Sequence, residues 1–160
     1  MSKEITDISM KNVTKNCDTD CSYKFNYLEQ SVLIGKDRGI ITSVYRYDQS
    51  KGPPVIFNEK KYFPSFGLIV APSPLMIDGY YPEGLIVVSH LQPDEASNRG
   101  EFKRDDPLSV VVPFKTSEVS SPGSQVIANI INKVKEQTSP MDMSTMTYNL
   151  QDLIPVKGFD

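Results

Sequence analysis

The chain has 160 residues, no tryptophan, a single histidine and only two cysteines. Each shortage removes a class of chemistry. One histidine excludes any metal site built from two imidazoles and leaves His90 as the sole imidazole base. Two cysteines are too few for the framework of a disulfide-stapled module. No stretch approaches the roughly 18 consecutive apolar residues of a membrane span. The longest apolar run with strand character is Gly84–Val88. The first sixteen residues lack the apolar centre of a secretory signal, so none is expected. Basic residues are not in excess: 17 Lys and Arg face 20 Asp and Glu, net −3. That balance argues against a nucleic-acid footprint, which needs a basic patch or stripe. Phosphate-cradling glycine loops and the strained Gly-x-Ser-x-Gly turn are also absent.

What is present reads as one mostly β domain. Residues 1–16 are polar, mixed in charge and without period, so they are expected to form an arm ordered by a partner, if at all. Asn12-Val-Thr14 matches a glycosylation acceptor by pattern only. From residue 22 the period is two. Tyr23, Phe25 and Tyr27 alternate with Lys24 and Asn26, as in a half-buried strand. Further on, Ile41, Ser43, Tyr45 and Tyr47 share one face, and Ile40, Thr42, Val44 and Arg46 the other. Turn formers at 35–39 and 48–54 separate these runs, and a polar break at 58–61 precedes a strand over 62–70. Three prolines and Gly79 within 71–82 predict a shaped loop without regular structure. Leu85–Val88 reads as a strand buried on both faces. Residues 91–107 are expected to be a loop, and Leu108–Phe114 another strand.

One helix is expected, over about 124–136. Val126, Ile127, Ile130, Ile131 and Val134 form a single apolar stripe. Ser121 or Ser124 is placed to cap its start, and Lys133 and Lys135 suit its last turns. Residues 138–149 read as a polar connector, and Leu150–Pro155 as a short helical turn stopped by proline.

The chemistry-bearing groups are few. His90 beside a strand reads first as a structural histidine. Cys17 and Cys21, with Asp18 and Asp20 between them, leave three readings open: part of a metal site, a disulfide, or plain thiols. A zinc site would need further ligands, and only His90 is on offer. Asp94-Glu95 and Asp105-Asp106 sit among basic neighbours in loops and read as solvated. Lys60-Lys61 beside Tyr62 is too small a patch to imply nucleic acid.

The order of these segments resembles the α-type carbonic anhydrases. Leu108–Phe114, the turn at Pro122, the helix, the connector and Leu150-Gln-Asp-Leu-Ile-Pro155 look like the later part of that family. Asp37-Arg-Gly39, a strand, a turn and Tyr62 are similar to its asparagine-glycine turn and following strand. A narrower resemblance is to carbonic-anhydrase-like proteins of large double-stranded DNA viruses. It rests on Cys17 and Cys21 before the aromatic strand, on Tyr47-Asp48 followed by Pro53-Pro54-Val55-x-Phe57-Asn58, and on Pro72-Ser73 and Asp78-Gly79 ahead of Gly84–Val88. The likeness spans about 17–160.

The resemblance implies a twisted β-sheet with one main helix, lacking the family's C-terminal segment because the sequence stops at Asp160. It implies that the family's zinc positions fall within Leu68–Ala71 and near Ile86, on neighbouring strands. None of those residues is His, Cys, Asp or Glu. The expectation is therefore a catalytically inactive protein with no cofactor. Its implied role is a structural one, as a minor capsid or capsid-associated component of a virion, made in the host cytoplasm, with other capsid proteins as partners. A surface module binding a glycan or host receptor is the alternative, with Arg46, Lys51, Lys60 and Lys61 as its cations. Neither nucleic acid nor a membrane span is expected.

Overall fold

The computed structural model describes residues 7–8, 22–97 and 99–154. Ten strands and one helix are ordered as β1 (Asp7–Ile8), β2 (Tyr23–Phe25), β3 (Glu29–Asp37), β4 (Ile40–Arg46), β5 (Val55–Phe57), β6 (Lys60–Val70), β7 (Met76–Ile77), β8 (Gly84–Leu91), β9 (Leu108–Phe114), α1 (Pro122–Lys135) and β10 (Met143–Asn149). Eight of the strands form one antiparallel sheet. Its main path runs β10–β3–β4–β6–β8–β9, and β5 and β2 continue from the start of β6. The class is mostly β with one helix, as the sequence implies.

Tight turns set the register. The β3–β4 hairpin turns on Arg38 and Gly39, and the β5–β6 hairpin on Asn58 and Glu59, all with positive φ. Such backbone matches the twist of the strands it joins. Alternation on β4 is realised as read: Ser43 and Tyr45 are buried while Ile40, Val44 and Arg46 are exposed.

Helix α1 starts at Pro122, with Ser121 as its cap. Both candidate caps are used. The Ser121 hydroxyl accepts from the Ser124 amide at 3.1 Å, and the Ser124 hydroxyl accepts from the Ser121 amide at 2.8 Å. This reciprocal box satisfies two amides that a helix start leaves open. Ile130 and Val134 of the apolar stripe are buried against Val32 and Ile34 of the sheet, with Tyr148, Leu150, Leu153 and Ile154 in the same core.

A glycine near the helix start is required for its docking. A Cβ on Gly123 would lie 2.6 Å from the carbonyl oxygen of Asp152. Alanine ordinarily stabilises a helical position by about 1 kcal/mol over glycine. Here Gly123→Ala is expected to destabilise by about 1–2 kcal/mol, because backbone cannot yield as a side chain can. A urea midpoint that rises instead would refute this.

Two sequence expectations are corrected. Residues 71–82 are not wholly irregular: β7 lies within them and pairs in parallel with β1, through Asp7↔Met76 and Ile8↔Ile77. That pairing also gives part of the expected arm a place on this chain's own backbone. The connector 138–149 contains β10, a full partner of β3 from Met143↔Gly35 to Asn149↔Glu29. Only Tyr148 of β10 is fully buried, so the strand lacks the apolar density that betrays a central one. The loop 91–107 holds one isolated bridge, Pro93↔Phe102. Leu150–Asp152 forms the expected single turn, capped by Asn149.

Candidate functional site

The sheet register brings distant residues into rows across its inner face. One row is Ile41–Ile69–Ile86–Val112. The next is Ile34–Ser43–Gly67–Val88–Val110. The segment Leu68–Ala71 and Ile86 were expected on neighbouring strands, and the structure sets Ile69 directly opposite Ile86. Ile69 is 8% exposed, Ile86 3% and Val88 0%. These side chains are closely packed core rather than the wall of an open cleft.

Tyrosines fill the space beside this row. Gly67 lacks a side chain where the Tyr45 ring passes, and a Cβ there would come 2.7 Å from the Tyr45 hydroxyl. Tyr148, brought in by β10, donates to Tyr45 at 3.2 Å. Burial pushes both phenols up from their ordinary value, so both stay neutral.

His90 ends the same face of β8 and is completely buried. Its Nδ1 lies 3.2 Å from the Leu108 carbonyl oxygen, which can only accept. The proton therefore sits on Nδ1, and Nε2 accepts from the Tyr27 hydroxyl at 2.7 Å. The Tyr27 oxygen lies 3.5 Å from that of Tyr23. Burial lowers the His90 pKa to about 4, against the smaller opposing effect of hydrogen bonding to the backbone of Leu108 and Val88. Burial also raises Tyr27 and Tyr23. The imidazole is thus neutral at pH 7 with both nitrogens engaged. It has no free lone pair for a metal or a substrate proton, and its reading as a structural histidine stands.

The remaining candidates do not gather. Cys17 and Cys21 lie outside the described residues. Asp106 bonds Lys60 at 2.8 Å on the surface, while Asp94 accepts from the Ala96 amide in its own turn. Arg46 and Lys51 line a surface cleft of about 150 Å³, but Glu29 and Asp48 line it too. The cations expected to cluster are thus split by acids, and the cleft is below the usual size of a small-molecule site. Among the described residues, no three of His, Cys, Asp and Glu come together as a metal-holding group. No helix among them is long and apolar enough to cross a membrane.

No protein-family profile matches the chain, and no curated protein matches it by sequence. Solved structures do match by shape. Dioscorin complexed with ascorbate superposes with a TM-score of 0.63 at 10% identity, covering 93% of this chain and 54% of its own. The α-carbonic anhydrase of Photobacterium profundum gives 0.62 at 13% identity, covering 95% and 62%. That of Thermovibrio ammonificans, in complex with sulfanilamide, gives 0.58 at 16% identity, covering 86% and 51%. The chain therefore has a carbonic-anhydrase-like fold, and it spans little more than half the length of these structures.

Such a fold raises the question of zinc. At Leu68–Ala71 and Ile86, where the sequence resemblance expects the zinc positions, the side chains are aliphatic and carry no lone pair, so those residues do not fit a zinc ion. The Tyr45–Tyr148 pair and His90 were visible as residue types in the sequence. Their partners lie 103 and 63 positions away, and only the strand register makes those pairs.

Proposed function

We propose that this chain uses a carbonic-anhydrase-like scaffold without its metal chemistry, as a structural, assembly-forming protein. The observation that carries this reading is the Ile69–Ile86 pair. It lies at the centre of the sheet, where the resemblance puts ligand positions, and it is closed by core packing. Without ligands no zinc-bound hydroxide forms, and carbon dioxide hydration by that route is lost. The motif resemblance around Tyr47–Asn58 and Pro72–Val88 supports a setting in a large DNA virus particle. There the chain would be a minor capsid or capsid-associated component held by other capsid proteins.

Two measurements test this. Purified protein dialysed against zinc is expected to retain well under one equivalent by elemental analysis, and to hydrate carbon dioxide no faster than buffer. One tightly held equivalent with catalysis would overturn the inactive reading. Mass spectrometry of purified particles should then find the chain at a fixed, high copy number. Few copies, shed by mild surface protease and retained on heparin above physiological salt, would favour a glycan-binding surface module instead.

A further inference from the structure

The β3–β4 ladder ends at Ser31↔Arg46, while β3 runs on through Gln30 and Glu29 with only β10 beside it. Past that point the chain from Arg46 to Lys51 parts from β3, and a cleft of about 150 Å³ opens between them. Its walls carry the acids Glu29 and Asp48 and the cations Arg46 and Lys51. Among the described residues none of these four belongs to an ion pair. Both bonds to Asp48 fall on Oδ1, from the Ser50 amide at 3.0 Å and the Ser50 hydroxyl at 2.7 Å, so Oδ2 is open. The same bonds hold its carboxyl below the ordinary value and keep it ionised at neutral pH.

Gln30 points to a ligand independently of these charges. It lines the same cleft and is only 5% exposed. Neither its amide nitrogen nor its amide oxygen has a hydrogen-bond partner, and no other buried side chain among the described residues leaves both kinds of atom unpaired. Buried polar groups are nearly always bonded. An orphaned amide therefore calls for a partner that brings an acceptor and a donor together.

We infer that this cleft binds a small zwitterion, a free α-amino acid, with its carboxylate on Arg46 and Lys51 and its ammonium on Glu29 and Asp48. The Gln30 amide nitrogen donates to the carboxylate, and the Gln30 oxygen accepts from the ammonium. Charge selects this class of ligand. A phosphate or a sulfated sugar would meet two acids, and a metal ion two cations, and like charges brought together are costly. A ligand bearing both signs leaves no wall opposed. Size agrees: about 150 Å³ is the volume of about five waters at ~30 Å³ each, room for a short amino acid. The inference rests on the diverging ends of β3 and β4 and is independent of the zinc positions.

Calorimetric titration of the full chain with L-alanine at neutral pH is expected to show saturable binding with a dissociation constant on the order of 1 mM. N-acetylalanine keeps only the carboxylate and alanine amide only the ammonium, so each should bind about tenfold more weakly. Arg46→Gln and Glu29→Gln change exposed side chains and should leave the fold intact while each weakens alanine binding about tenfold. Arg46→Gln should also shrink the preference for alanine over alanine amide, and Glu29→Gln the preference over N-acetylalanine, which a merely structural effect would not do. Gln30→Leu should weaken alanine binding while raising the urea midpoint, because the unpaired amide is removed. If that variant misfolds, the two charge variants decide. No saturable binding of alanine, equal binding of glycerol or of either one-charge analogue, or an alanine affinity untouched by the charge variants would each overturn the inference.

Discussion

At pH 5 the protein is expected to be about 2 kcal/mol less stable than at pH 7, and His90 is the cause. The imidazole titrates near 6.5 when exposed in the unfolded chain, but burial lowers it to about 4 in the fold. Above pH 6.5 both states are neutral and the shift has no consequence. Between 6.5 and 4 the unfolded chain takes up a proton that the folded chain refuses, so stability falls as pH falls. The full loss, reached below pH 4, is about 3 kcal/mol at 1.36 kcal/mol per unit of pKa. The groups acting on the ring are Tyr27 and the backbone of Leu108 and Val88, with Tyr23 beyond, and neither tyrosine titrates in this window. Denaturant titrations at the two pH values measure the gap. His90→Gln keeps an acceptor for Tyr27 but cannot titrate, so its gap should shrink below about 0.5 kcal/mol. An undiminished gap in that variant would assign the effect to other groups.

Ile86→Ala is expected to cost about 3 kcal/mol, within the range for truncating a packed aliphatic side chain. The same change on an open cavity wall would cost well under half of that, because solvent already reaches the side chain. Val44→Ala is the control. Val44 lies on the opposite face at 38% exposure, and its loss should cost less than about 1 kcal/mol. Equal, small effects at both positions would mean that the centre of the sheet is not packed as described, and the structural reading of Ile69 and Ile86 would fall with it.

A metal enzyme needs ligands and an open position above them. Here the same part of the sheet carries branched aliphatics, a glycine that admits a tyrosine ring, and a histidine whose nitrogens are both used. All of these favour a single well-ordered packing. Both His90 nitrogens are engaged, by Tyr27 and by the Leu108 carbonyl.

The sequence by itself determined the local elements with strong period. Alternation on 40–46 and the stripe from Val126 to Val134 emerged as β4 and α1, because pleat and helical pitch force those spacings onto a buried face. The serine cap was equally readable, since open amides have few possible partners, whereas Pro122 read as a turn ahead of the helix and is its first residue. The absence of ligating side chains at Leu68–Ala71 and Ile86 was also plain, because residue chemistry does not depend on the fold.

Tertiary structure decided the rest. β10 is an edge strand of Met, Ser, Thr and Tyr, and nothing in that composition demands a sheet until β3 offers its backbone. Whether the His90 imidazole was solvated or sealed turned on Tyr27 and on β9, which lie far from it along the chain. The pairing of Ile69 with Ile86 is likewise a matter of register. Register is fixed by hairpin turns and by burial of one face acting on the whole sheet at once, so no single stretch of sequence contains it.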